Sequence, residues 1–217
     1  MRIFFKGKMT QRLAVGDLLD GGGNALLVMC PPGPMLVYSD PPWNPGNEKW
    51  WRRHADVDPP VEYGDFLAAW CRAVSGCHPL HILCEQSSNL KQCGLLLDAV
   101  SRCPGWALPL LEQFTVYYGS PGSAGCRRMN VLLHFGTEPL TTGPSGMHGE
   151  AMTRRVFEGL RLPPNITVAD PCLGKGMTSR MAHYFGLHCI GTELNPRRLD
   201  YAIHWLQRQG YEERTGE

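Results

Sequence analysis

Residues 37–45 read VYSDPPWNP, an apolar run that stops on Asp40, Pro41, Pro42 and Trp43. Loops at the ends of buried strands are frequent places for chemistry. The two prolines hold the turn rigid and withhold two backbone donors from it. What remains is a corner of acceptors, the Asp40 carboxylate and the Pro41 carbonyl, beside an indole face. Such a corner suits the exocyclic amine of adenine or cytosine, whose lone pair is delocalised into the ring and is a poor nucleophile. With Asp40 accepting one N–H and the Pro41 carbonyl the other, the nitrogen can pyramidalise and its freed pair can attack a methyl sulfonium. Trp43 offers a face on which a base taken out of its stack can rest.

A second loop supplies a partner for that chemistry. In VADPCLGKGMTSR, residues 168–180, a strand ends on Asp170, a turn carries Gly174 and Gly176, and a helix begins near Met177. Glycines let the backbone approach a ligand closely, and a helix start offers unpaired N–H groups. Glu193 stands at the end of the next strand, 19 residues after Gly174, where a carboxylate can accept both hydroxyls of a ribose. Two acids at neighbouring strand ends suit a cofactor with a cationic amine and a diol better than a phosphate. Lys175 leaves a nucleotide open, yet the loop is not GxxxxGK[ST], because Met177 follows the second glycine.

Together these residues resemble the S-adenosylmethionine-dependent DNA amino-methyltransferases, which act on adenine N6 or cytosine N4. DPPW at 40–43 fits their catalytic motif, [D/N/S]-P-P-[Y/F/W]. DPCLGKGMT at 170–178 fits their cofactor motif, D-P-F-x-G-S-G-T, with Cys172 in place of Phe and Lys175 in place of Ser. The resemblance implies S-adenosyl-L-methionine as cofactor, held by Asp170, Pro171, Cys172, Gly174, Gly176, Thr178 and Glu193. GDLL at 16–19 resembles the acidic segment ahead of the catalytic loop, so Asp17 is expected at the cofactor's adenine amine. The catalytic loop precedes the cofactor loop, as in the permuted beta group. The implied activity is that of an adenine-specific DNA methyltransferase, since an opening Asp is commoner among adenine members. Cytosine N4 of DNA, adenine N6 of RNA, and a non-catalytic nucleic-acid-binding subunit are the alternatives. Pro171-Cys172 superficially offers the thiolate of a 5-methylcytosine enzyme, but that reading leaves Asp40-Pro41-Pro42-Trp43 unexplained.

The expected partner is DNA with a flipped adenine. NEKWWRRH at 47–54 follows the catalytic loop in an irregular stretch, 44–60. There Lys49, Arg52 and Arg53 can neutralise phosphates while Trp50 or Trp51 supports unstacked bases. Arg127 and Arg128 beside GSPGSAGC are a second candidate contact. Arg197 and Arg198 read as a solvated helix start. No stretch is long enough for a separate recognition domain, which needs roughly 50 residues. A short or degenerate target is therefore expected, or help from a homodimer mate or second subunit.

The elements that must position these loops alternate. ALLVMC (25–30), MLVYS (35–39), PLHILC (79–84), ITVAD (166–170) and HCIGTEL (188–194) read as strands, and FTVYY with NVLLHFG as a strand pair. Helical spacing marks 61–74, 87–103, 150–160, 177–186 and 196–210. Alternation of this kind implies an α/β fold. The resemblance makes it a Rossmann-like methyltransferase fold: a mostly parallel twisted sheet, helices on both faces and a C-terminal antiparallel hairpin element. The 217 residues suit one domain, with a catalytic-loop half of about 1–135, a flexible surface loop at 136–149 and a cofactor-loop half at 150–217.

Composition excludes little but is consistent. Lys and Arg number 21 against 20 Asp and Glu, so any nucleic-acid surface must be local. No apolar run reaches membrane-spanning length and the N-terminus lacks a secretory pattern, so a cytoplasmic protein, bacterial or phage-encoded in a bacterial host, is expected. Nine cysteines without CxxC pairs suit a reducing compartment. Cys77, His78, His81 and Cys84 crowd together, but strand alternation throws them onto opposite faces, and no metal is assigned.

Overall fold

The computed structural model describes residues 1–20, 22–58, 62–118 and 128–214, the side chains of 22–24 excepted. In chain order the elements are β1 (Arg2–Lys6), β2 (Met9–Val15), α1 (Gly22–Met29), β3 (Met35–Ser39), α2 (Pro45–His54), α3 (Tyr63–Gly76), β4 (His81–Ser87), α4 (Leu90–Arg102), β5 (Leu110–Tyr118), β6 (Arg128–Gly136), α5 (Gly149–Gly159), β7 (Thr167–Asp170), α6 (Met177–Tyr184), β8 (His188–Glu193), α7 (Pro196–Arg208) and β9 (Glu212–Arg214).

One sheet runs β5-β6-β4-β3-β7-β8-β2-β1-β9. Its centre, from β4 through β3, β7 and β8 to β2, is parallel, and its flanks are antiparallel. Side chains alternate across it. Met35 and Val37 of β3 pack with α1, α3 and α4, whereas Leu36 and Tyr38 pack with α5 and α6 on the opposite face. The all-apolar run of β3 follows from this burial on both faces. Phe4 and Leu13 of the N-terminal hairpin pack with Leu199, Ile203 and Leu206 of α7.

Several expectations change. The segment ALLVMC is part of helix α1, because its buried residues Leu26 and Met29 are three apart while Val28 between them is 80% exposed; a short apolar run fits either period until packing chooses. Residues 2–15, which carry no assigned element in the sequence, form the hairpin β1–β2 around Gly7 (φ 58°). The strand pair expected at FTVYY and NVLLHFG forms as β5–β6, whereas in place of an expected C-terminal hairpin the single strand β9 closes the far edge against β1. The irregular stretch 44–60 begins with helix α2, capped by the Asn44 side chain, which accepts from Asn47 N at 2.9 Å, with Pro45 in the first turn.

The expected flexible loop at 136–149 is packed along the edge strand. Thr115 O accepts from Gly146 N and Met147 O from Tyr117 N, both at 2.9 Å, and Leu140 is buried. Gly143 lies so close to Phe114 that a Cβ there would fall 2.3 Å from its ring. The segment thus covers part of an exposed strand edge.

Adjacent strands β3 and β7 lead in opposite directions across the sheet, to β4 on one side and β8 on the other. Such a switch point leaves a crevice beyond the carboxyl ends of the strands. The loops starting at Asp40 and Pro171 both open into it.

Candidate active site

The crevice is a cleft of about 200 Å³ whose walls include Asp17, Asp40, Pro41, Pro42, Trp43, Pro171, Cys172, Gly174 and Glu193. The fold therefore brings together loops separated by about 130 residues of chain. After β3, the catalytic-type loop is braced from several sides. Trp43 Nε1 donates to Asp40 Oδ1 at 2.8 Å, and Trp70 Nε1 of α3 donates to Ser39 Oγ at 3.1 Å. Tyr63 at the start of α3 donates to the Pro42 carbonyl at 2.7 Å. Among the described residues no donor reaches the Pro41 carbonyl or Asp40 Oδ2, and both residues line the cleft.

Following β7, the glycine loop is organised by the acid that begins it. Asp170 accepts from Thr178 Oγ1 at 2.6 Å and from Cys172 N at 2.9 Å, tying the strand end to the first turn of α6. Both glycines have positive φ, 58° at Gly174 and 81° at Gly176, where a side chain would be strained. At Gly176 a Cβ would also lie 2.5 Å from Ala202 Cβ of α7. Glu193 accepts from Gly174 N (2.7 Å) through Oε2 and from Asn195 N (2.9 Å) through Oε1. Each of its oxygens keeps a second lone pair.

Several acids at and behind the cleft are held protonated to higher pH than usual. Burial pushes Asp40 up to about 6, against the pull of Trp43 and Arg198, and pushes Asp170 up to about 7 despite the Thr178 bond. On β4, Glu85 is buried, accepts from Tyr38 Oη at 2.7 Å, and is pushed up to about 8 by burial and then by Asp40. Glu193 is raised for the same primary reason. A carboxyl raised in the folded state binds more protons there than in the unfolded chain, so its contribution to stability is present at low pH and lost as pH rises. Urea unfolding is thus expected to show stability falling between about pH 5 and pH 8 as Asp40, Asp170 and Glu85 ionise in turn. A flat or rising profile in that window would contradict the buried-acid description.

Arg198, on a helix start that reads as solvated in the sequence, belongs to the site. Pro196 and the Asn195 cap, which accepts from Arg197 N at 3.0 Å, start α7 at the cleft rim, and Arg198 turns inward. Its guanidinium stacks 3.8 Å from the centre of the Trp51 ring and its buried Nε has no partner. Tyr118 at the end of β5 is a second residue that sequence reasoning misses; its ring meets Trp43 edge-on at 4.8 Å. A conspicuous aromatic at a strand end was the available signal. Lys175, expected beside the cofactor, points away and sits over Tyr201.

The expected nucleic-acid contacts divide. Lys49, Trp50 and Arg53 are exposed on α2, with Trp50 stacked 3.7 Å from the His54 ring. Trp51 is half-buried and turns to the cleft. Arg52 is a correction: it is 4% exposed, makes two 2.7 Å bonds to Asp17 and one of 2.6 Å to Glu48, and is unable to meet a phosphate. The same bonds occupy Asp17, the residue expected at the adenine amine. Arg128 is exposed at the cleft rim, and Arg127 lies outside the described residues. Burial raises the Cys172 thiol well above its usual range, which disfavours the thiolate alternative. Among the described residues no group of His, Cys, Asp and Glu is arranged to hold a metal.

No protein-family model matches the chain, and no curated protein matches it. Solved structures do. M1.HpyAVI shares 11% identity at a TM-score of 0.60, over 90% of this chain and 98% of its own. TTHA0409 of Thermus thermophilus, described as a putative DNA modification methylase and solved with S-adenosyl-L-methionine, shares 15% at 0.61, over 92% and 95%. The PvuII cytosine-N4-specific DNA methyltransferase shares 13% at 0.62, over 89% and 85%. The chain therefore has the α/β fold of these methyltransferases, spanning nearly its whole length.

Proposed function

We propose that this protein transfers a methyl group from S-adenosylmethionine to the N6 amine of adenine in DNA. The observation that carries the reading is the pair of unspent acceptors, Asp40 Oδ2 and the Pro41 carbonyl, on residues that line the same cleft as Gly174 of the glycine loop and Glu193. The cleft suits the cofactor. Glu193 has one lone pair left on each oxygen for the two ribose hydroxyls. Bound there, S-adenosylmethionine supplies an electrophilic methyl. Asp40 and the Pro41 carbonyl draw the two amine hydrogens and free the nitrogen lone pair, and Asp40, poised near 6, takes up the proton that leaves after transfer. Trp43 is fixed by its bond to Asp40 and by Tyr118, and stacks on the extruded base.

Lys49, Trp50 and Arg53 on α2, with Arg128 across the rim, hold the strand around that base, with phosphate contacts supplying salt-dependent affinity. No described helix is long and apolar enough to cross a membrane. Adenine is favoured over cytosine by the Asp that opens the motif, since the fold itself is shared with a cytosine-N4 enzyme. The deciding experiment is nucleoside mass analysis of DNA and RNA from cells expressing the protein. N6-methyladenine in DNA is expected. N4-methylcytosine would move the assignment to the other base, methyladenine confined to RNA would move the substrate, and neither product would sink the proposed activity.

A further inference from the structure

Arg198 is a cation in the cleft that the chemistry above leaves unused. It lines the cleft half-buried, from the first turn of α7, and its Nε is buried without a partner. Among the described residues its nitrogens make no hydrogen bond and no ion pair. The acids of α2's wall do not neutralise it, because Asp17 and Glu48 are both paired with Arg52. A guanidinium taken partly out of water without acceptors is costly, so something other than hydrogen bonds holds it. On one side that is Trp51, whose ring centre lies 3.8 Å from the guanidinium. On the other side is Gly174: a Cβ there would fall 2.8 Å from Arg198 Nη2, so the glycine leaves the side chain its room. A planar fork wedged between an indole and a glycine is oriented before any ligand arrives, with its donors unspent. That is the geometry an oxyanion wants.

Two oxyanions of the proposed reactants fit that chemistry, a backbone phosphate of the nucleic acid and the amino-acid carboxylate of the cofactor. Position favours the phosphate. For the methyl to face the Asp40 and Pro41 corner with the ribose on Glu193, the cofactor's amino-acid tail must run on past that corner, whereas Arg198 stands at the Trp51 and Gly174 end. Arg128 gives a second point. Burial and then Asp40 raise the Tyr118 phenol, and Arg198 and Arg128 both pull it back, so both cations reach the ring that braces Trp43. The base corner thus has two guanidiniums within electrostatic reach, one for each phosphate flanking an extruded nucleotide.

We propose that Arg198, preset against Trp51, binds a backbone phosphate beside the extruded base, which makes the start of α7 part of the nucleic-acid interface. The inference rests on the nucleic-acid substrate proposed above. It is tested by fluorescence anisotropy with a labelled single-stranded oligodeoxynucleotide containing adenine, titrated at several salt concentrations, so that no turnover is needed. Arg198→Met should make the slope of log affinity against log salt shallower by about 0.7, the increment for one single-strand phosphate contact. Arg198→Lys keeps the charge and should restore most of that slope. Arg197→Met removes the same charge from the exposed neighbouring position and should keep the parent slope. Calorimetry with S-adenosylhomocysteine, and with 5′-methylthioadenosine, which lacks the amino-acid tail, should give parent affinities for Arg198→Met. A parent slope in Arg198→Met overturns the proposal, and if S-adenosylhomocysteine alone then binds more weakly, the site belongs to the cofactor's carboxylate. Equal slope losses in Arg197→Met and Arg198→Met also overturn it, because diffuse charge at the helix start would then suffice. Failure of the parent protein to bind the oligonucleotide or its RNA counterpart would instead remove the nucleic-acid reading on which the proposal stands.

Discussion

Asp40→Ala is expected to lower methyl transfer by on the order of 10²-fold to 10⁴-fold, the range for loss of a positioned acid or base, while S-adenosylhomocysteine binds as it does to the parent. In the proposed reaction Asp40 meets the amine rather than the cofactor, and no donor among the described residues reaches its Oδ2. The loss should fall on kcat, because the contact strengthens as the amine becomes a nucleophile. The same carboxylate is expected to set the acid limb of the proposed activity. Its affinity for protons is raised to about 6 by burial, so kcat/KM should fall as pH drops through that value, where the acceptor is protonated. Single-turnover kinetics with a radiolabelled methyl group checks both statements. Appreciable turnover in the alanine variant would show that Asp40 is not the acceptor.

The largest effect on stability is expected at Arg52, the residue whose sequence context suggested phosphate contact. Arg52→Leu leaves Asp17 and Glu48 as buried carboxylates without their shared cation. Breaking a buried ion pair by removing one partner costs about 3–5 kcal/mol. Urea denaturation should show that loss, whereas Arg53→Ala next to it, exposed on the same helix, should stay within about 0.5 kcal/mol of the parent. Adding Asp17→Asn and Glu48→Gln to Arg52→Leu should restore part of the stability, because the unpaired charges go with the cation. If Arg52→Leu instead kept its stability and lost salt-dependent DNA affinity, the sequence-based expectation for this residue would stand and the buried network would be wrong.

What the sequence determined by itself was the local chemistry and the order of its carriers. Asp40-Pro41-Pro42-Trp43 announces a rigid acceptor corner because proline restricts the backbone whatever surrounds it. Gly174 and Gly176 announce a close-approach loop because positive φ is a local property, and both residues have it. The core strands β3, β4, β7 and β8 were legible because burial on both faces demands continuous apolar runs. Helix α1 was not, since eight residues with a short apolar run satisfy two periods and only packing against α3 selects one.

Only the tertiary structure decided which charged groups are available. Arg52 and Arg53 are neighbours in sequence and equally basic, yet α2 turns one into an ion pair with Asp17 and the other to solvent. Arg197 and Arg198 differ in the same way: one is exposed, the other enters the cleft over Trp51. That Glu48 Oε2 is unpaired while both oxygens of Asp17 are bonded depends on where Arg52 reaches, 35 residues from Asp17 in the chain. Side-chain direction on a helix and the pairing of distant strands set these outcomes, and neither is encoded in any short window of sequence.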